Sequence, residues 1–295
     1  MRWLGLLRET IVEWWRDDVL RHGAALAYYS VFSLAPILVI SVAVAGLVFG
    51  EEAARGHIVR ELGGLVGRDG AAAIQTLIEK ASLQHDAGFV ATLIGVATLL
   101  FGASAAFGQL QYALNRIWDV GAPAGASWKG VLRTRFVSFS MVLVVGFLLL
   151  TSLVVTAALA ALDQLIGERV AYLQPVLGAL NAALSFAVIT CLFAAIFKVL
   201  PDTYVAWRDV WLGAAVTALL FVVGKTGIGF YLGNTSVAST YGAASSVIVL
   251  LVWIYYSAQI LFLGAEFTHV FARQRREAPA LAQARETISP RRASV

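Results

Sequence analysis

The chain has little of what an enzyme or secreted domain is usually built from. Cys191 is its one cysteine among 295 residues, so no intramolecular disulfide forms and no cysteine-based zinc site can be assembled. The four histidines, His22, His57, His85 and His269, lie far apart, with no HExxH or other clustered His/Asp spacing. Charge is scarce as well. Asp, Glu, Lys and Arg make up 14% of the residues, where a soluble domain carries about a quarter. The first 23 residues, MRWLGLLRETIVEWWRDDVLRHG, contain no uninterrupted apolar core of the signal-peptide kind. A phosphate loop is absent too: Gly224-Lys225-Thr226 ends like GxxxxGK[ST], but position 219 is Leu and an apolar helix precedes it.

What the chain does have is apolar length. Hydrophobic residues make up 59% of it, mean hydropathy is +0.78, and they fall in blocks of the roughly 20 residues that span a bilayer. Six such blocks are expected, at 24–49, 88–112, 136–162, 175–199, 208–233 and 243–267. The predicted fold is all-α: a polytopic six-helix transmembrane bundle over 24–272, preceded by residues 1–23 and followed by a flexible basic tail, 273–295. In 1–23, Leu4, Leu7, Ile11, Trp14 and Trp15 recur at helical spacing. They predict an amphipathic helix, lying in the membrane interface or packed against neighbouring loops. The insert 50–87 carries two apolar stripes, Ile58/Leu62/Leu65 and Ile74/Leu77/Ile78/Ala81, expected as short helices in the first outer loop.

Basic residues set the orientation. Four lie in 1–23, four between Arg116 and Arg135, then Lys198 and Arg208, and six arginines follow position 272. The opposite side holds Arg55, Arg60, Arg68, Lys80 and Arg169. The positive-inside bias places both termini in the cytoplasm. The net charge of +4 is therefore spread along span boundaries and does not form a nucleic-acid-binding face.

Lys225 stands inside the fifth apolar block, in LLFVVGKTGIGFYLGN. A charge at that depth is costly; it either snorkels outward along its four-carbon stem or faces polar, protein-lined space. The glycine- and hydroxyl-rich stretch 224–246 predicts a broken or re-entrant segment lining a polar cavity, against ordinary small-residue packing through Gly229 and Gly233. Tyr28, Tyr29, Tyr231, Tyr255 and Gln259 are the polar side chains expected to share that cavity with Lys225. Tyr255 and Gln259 lie one turn apart on one helix face. Glu266 is the second intramembrane charge. An ion pair with Arg208, or with Arg116 or Lys198, is expected to clamp helix ends there, with a proton or ion relay as the alternative.

Several of these residues also carry a resemblance. AALAYYSVFSLAP (Tyr28, Tyr29, Ser33, Pro36), LNRIW (Asn115, Trp118), LPD with WRDVWLGA (Asp202, Arg208, Asp209), Gly224-Lys225, Tyr231, YGAASS and WIYYSAQILFLGAEFT are similar to the YihY/virulence-factor BrkB family of bacterial inner-membrane proteins, once labelled ribonuclease BN. Ser245 stands where that family usually has Gly. The resemblance covers about residues 20–272 and implies six helices with both termini inside. The ribonuclease label has no support in the residues, since no convergent acid–base or metal cluster is present. The expectation is a non-enzymatic transporter or lipid translocator that needs no cofactor and binds an anionic lipid or small anionic solute at Lys225. A structural envelope scaffold that assembles as a homo-oligomer is the competing class.

Overall fold

A computed structural model describes residues 3–31, 105–121, 174–234 and 245–288, with scattered positions between 50 and 79. The described residues are helical, without strands. In chain order they form α1 (Trp3–Arg16), α2 (19–31), α3 (105–117), α4 (Gln174–Val199), α5 (Trp207–Asn234) and α6 (Ser245–Ile288). Among the described residues three stretches are long and apolar enough to cross a membrane: Gly178–Val199, Trp207–Ile228 and Val247–Glu277. They coincide with the fourth, fifth and sixth expected spans. The third expected span, 136–162, lies outside the described residues, as do most of the first and second. Of the insert, Ile74 and Ile78 are helical and buried, in keeping with the second stripe.

Two helices run on further than expected. α5 is continuous through Gly224, Lys225 and Gly227 to Asn234, so the expected break does not occur in that part of the segment. Inside a bilayer each peptide group is most cheaply satisfied by its own helix, and Thr226 adds a bond from its hydroxyl to the Val222 carbonyl, 3.2 Å away. Residues 235–244 lie outside the described residues. α6 continues to Ile288, where a flexible tail from 273 was expected. Ala, Gln, Glu and Arg dominate that stretch and are strong helix formers, and its first residues are pinned by acidic partners on α1 and α5.

The core gathers at one end of the bundle. Val19 and Leu26 of α2, Leu110, Leu114 and Ile117 of α3, Phe193 and Phe197 of α4, Val210, Ala214 and Ala218 of α5, and Ala258, Leu261, Phe262 and Ala265 of α6 form one buried cluster. The repeat of three and four residues within each helix is what turns one stripe of each toward the centre. α1 lies across this end. Leu6 is fully buried against Phe267 and Val270 of α6, with Leu212 and Val216 of α5 beside them. Its other face leaves Trp3, Leu4, Leu7, Ile11 and Trp15 exposed, an apolar outer surface of the kind an interfacial helix presents. Trp14, expected on that face, turns inward against the core. The α1–α2 turn and the end of α3 each place an aspartate in the left-handed region, Asp18 at φ 51° and Asp119 at φ 52°; a short polar side chain tolerates that conformation.

α5 and α6 pack through a reciprocal seam. Gly213-Ala-Ala-Val-Thr217 on α5 faces Gly264-Ala-Glu-Phe-Thr268 on α6. Each threonine sits on the other helix's glycine: a Cβ at Gly213 would come 1.7 Å from Thr268 Oγ1, and one at Gly264 would come 1.8 Å from Thr217 Oγ1. Each hydroxyl is satisfied on its own helix, Thr217 donating to Gly213 O at 2.7 Å and Thr268 to Gly264 O at 2.6 Å. Farther along, Gly224 continues the contact under the Tyr256 hydroxyl. Close approach of two helices without a large hydrophobic driving force is what small residues allow in a membrane.

Candidate functional site

Lys225 is half-buried and makes no hydrogen bond or ion pair among the described residues. One turn before it on the same face, Phe221 meets Phe193 of α4 and Trp253 of α6, with ring centroids 5.8 and 6.3 Å apart. Residues four apart share a helix face, so Lys225 stands on the side of α5 turned toward α4 and α6. Asn181 and Lys225 lie equally far along α4 and α5 from the connecting turn, about 27 Å by helical rise. Asn181 Oδ1 and Trp253 Nε1 are both buried and without hydrogen-bond partners among the described residues. Buried polar atoms in folded proteins are rarely left so, and the sequence pattern singled out neither of them.

The other expected cavity residues are only partly brought together. Tyr255 and Gln259 of α6 press on α2, where a Cβ at Gly23 would come 2.1 Å from Gln259 Nε2 and 3.5 Å from Tyr255 Cε2. Both polar ends of Gln259 are buried and unpartnered. Tyr28 and Tyr29 stack edge-to-face on each other, centroids 5.6 Å apart, and both are exposed. The Tyr231 side chain lies outside the described residues.

The expected Glu266–Arg208 clamp does not form. Glu266 is fully buried and neither carboxyl oxygen meets a cation among the described residues, while Arg208 is exposed. The other two cations named for it are engaged elsewhere. Arg116 pairs with Asp17 at 3.2 Å. Lys198 donates to Val205 O at 2.5 Å and stands 4.2 Å from the centre of the Tyr204 ring.

The clamps that do hold this end use other pairs. Asn115 and Asp202 exchange two hydrogen bonds: Asn115 Nδ2 donates to Asp202 Oδ2 and the Asp202 N–H to Asn115 Oδ1, each at 2.8 Å. Gln111 Nε2 adds a third at 3.1 Å. Arg275 bonds the buried Asp209 at 2.9 Å in the first turn of α5, where a carboxylate also suits the helix dipole. Arg273 holds Glu9 and Glu13 of α1, the latter at 3.0 Å, and Gln274 donates to Glu9. Two pockets open here. One, of about 220 Å³, is lined by Asp17, Asp18, Arg21, His22, Tyr112 and Arg116. The second, of about 250 Å³, lies among Trp118, Tyr204, His269, Arg273 and Arg276.

Burial pushes the Asp17 carboxyl above its ordinary value of 3.8 despite the Arg116 guanidinium, and pushes the His22 imidazole below its ordinary 6.5. Folded Asp17 thus binds its proton more tightly than the unfolded chain does. Its contribution favours folding in acid and is lost as pH rises through the raised value. Asp17→Asn is therefore expected to raise Tm in detergent at pH 7. The gain should disappear near pH 4, read by paired melts at the two values.

Comparison with known sequences places this arrangement. The family model described as virulence factor BrkB matches residues 10–288. The chain belongs to the BrkB family. Within that family it is 28% identical over 257 residues to a UPF0761 membrane protein of Pseudoalteromonas atlantica, covering 86% of this chain and 82% of that protein. It is 26% identical over 263 residues to one from Alkalilimnicola ehrlichii, covering 87% and 56%. A 74-residue stretch is 43% identical to a Tolumonas auensis protein, covering 25% of this chain and 24% of the other. This BrkB-family chain thus spans most of the first relative and little more than half of the second. No solved structure matches it. Two stretches that carried the resemblance, LNRIW and LPD, are the partners in the Asn115–Asp202 exchange, so that motif pair is an interhelical clasp. Among the described residues no group of three or more His, Cys, Asp or Glu is placed to hold a metal ion.

Proposed function

We propose that this BrkB-family protein is a bacterial inner-membrane transporter or lipid translocator, and not an enzyme, in which Lys225 binds the anionic group of the cargo. The observation that carries this reading is the Lys225 ammonium, without an ion pair among the described residues, on the α4- and α6-facing side of an apolar helix. The unpartnered Asn181 Oδ1 and Trp253 Nε1 lie on the two helices that flank it. A lone charge held there is costly, and the phosphate or carboxylate of a lipid or solute would neutralise it. Tyr255 and Gln259 supply further polar atoms toward α2. The alternative reading, a structural scaffold, would draw on small-residue faces left for association; of the glycines on α5, Gly213 and Gly224 are already covered within the chain by Thr268 and Tyr256.

The test is reconstitution in liposomes with a fluorescent phosphatidylglycerol or a phosphatidylcholine analogue as cargo. Lys225→Met is expected to slow phosphatidylglycerol movement at least tenfold, and Lys225→Arg to preserve it. Equal rates for the wild type and Lys225→Met would remove this charge from the mechanism.

A further inference from the structure

Glu266 presents a separate problem. Its side chain is fully buried in the middle of the α5–α6 seam motif, and among the described residues neither oxygen has a basic or amide hydrogen-bond donor, only the Asp17 carboxyl as a neighbour. The charged and titratable groups facing it are themselves mostly acidic: Glu13 on α1, Asp17 in the α1–α2 turn and Asp119 at the end of α3. Arg116 on α3 is engaged by Asp17, and Arg273 on α6 by Glu9 and Glu13. His269, one turn along α6, lies 3.9 Å from Asp119 and against the Trp118 ring. His22 on α2 contacts Gln109 at 3.4 Å, and the carboxylate of α5, Asp209, is held by Arg275. Among the described residues no cation is left to balance an ionised Glu266. An unpaired buried carboxylate costs several kcal/mol or more, a large share of what holds a domain together.

We propose that Glu266 is a proton-exchange site: it carries a proton in this conformation and trades it with solvent through Asp17 and the pocket that Asp17, His22 and Arg116 line. Asp17 is the link because it both neighbours Glu266 and lines that pocket. In the release step the O–H bond of Glu266 breaks and the proton passes to an Asp17 carboxylate oxygen. From there it goes to water in the pocket, leaving Glu266 ionised. Nothing is oxidised or reduced, and the reverse steps restore the acid. The Glu266 anion is tolerable only when the α1, α3 and α6 junction loosens to admit water or Arg116. Proton occupancy is thereby tied to the packing of that junction. The site stands whether or not Lys225 binds an anion.

Infrared spectroscopy of the full-length protein in lipid at neutral pH tests this directly. A carbonyl band of a protonated carboxylic acid is expected in the wild type, shifted by ¹³C-glutamate labelling and absent in Glu266→Gln, whose amide fills the same volume. Transfer to D₂O should shift the band, and Asp17→Asn should slow that shift at least tenfold. The proposal falls if the wild type has no such band, if Glu266→Gln retains it, or if D₂O leaves it unmoved. Loss of the band on adding Na⁺ at constant pH would also overturn it, by showing a metal cation as occupant. Should Glu266→Gln fail to fold, the glutamate label and the D₂O shift decide the matter on wild-type protein.

Discussion

Gly213→Ala and Gly264→Ala are each expected to lower stability by about 1–3 kcal/mol, although alanine is the better helix former by about 1 kcal/mol. The opposing effects are settled by distance. The new methyl at 213 would overlap Thr268 Oγ1 at 1.7 Å and Cβ at 2.7 Å; at 264 it would overlap Thr217 Oγ1 at 1.8 Å and Cβ at 2.8 Å. A clash with a Cβ cannot be relieved by rotating a side chain, so the helices must separate along the whole contact. That loosens Gly224 from Tyr256 and strips packing from Ala214, Ala218, Ala258 and Ala265 in the core. The matched swap distinguishes this account from a general sensitivity of glycine. Gly213→Ala with Thr268→Gly moves the small residue across the seam and should recover most of the lost Tm. Gly213→Ala with Thr217→Gly, which leaves Thr268 in place, should not. If both pairs behave alike, the close contact is not what sets the stability. The cycle reports a coupling only between sites in contact, which Gly213 and Thr268 are.

The last three spans were legible because a bilayer imposes its own length on the sequence, and α4 and α5 begin and end within a residue of the expected blocks. Sidedness of polar residues was less legible. Glycine and hydroxyl content around Lys225 predicts irregular backbone, yet a glycine can equally serve helix–helix contact, as Gly224 does under Tyr256. Composition cannot separate those uses; the face on which each glycine lies can. The seam itself had a readable sign, the pattern Gly-Ala-x-x-Thr occurring once in each of two antiparallel spans. Glu266 was recognised as a misplaced charge, but its partner was sought among cations near in sequence position along the membrane normal. Of those cations Arg116 is claimed by Asp17, Lys198 by the Val205 carbonyl, and Arg208 is turned to the exterior. Pair choice of that kind depends on rotation of each helix about its axis, which hydropathy does not encode. Asn181 and Trp253 carry no pattern of their own and are visible only as unpartnered atoms.

Arg273→Ala should release α1. The helix is fastened to α6 by one fully buried side chain, Leu6, and by the pairing of Arg273 and Gln274 with Glu9 and Glu13. The Glu13 side chain is only 15% exposed. Removing Arg273 leaves this nearly buried anion with only the exposed Arg16, 3.5 Å away; stranding an anion altogether would reach about 3–5 kcal/mol in a dry interior. Here the Arg273 and Glu9 side chains are 30% and 35% exposed, so solvent reduces the cost to about 2 kcal/mol. The effect carries a pH signature. Burial alone would raise the Glu9 carboxyl, but the hydrogen bonds from Arg273 and Gln274 outweigh it and hold the group below its ordinary 4.5. A depressed carboxylate contributes stability that is full above its unfolded value and is lost as pH falls through the folded one. Wild-type protein should therefore lose part of its hold on α1 in acid below pH 4.5, and Arg273→Ala should have lost it already at neutral pH. Leu6→Cys in a Cys191→Ser background reads this locally, since position 6 is fully buried while α1 is docked. Thiol labelling is expected to be slow at pH 7 and at least tenfold faster with Arg273→Ala, whereas Arg275→Ala, which acts at Asp209 on α5, should leave it slow. Equal labelling with and without Arg273 would mean that Leu6 and its apolar neighbours hold the helix unaided.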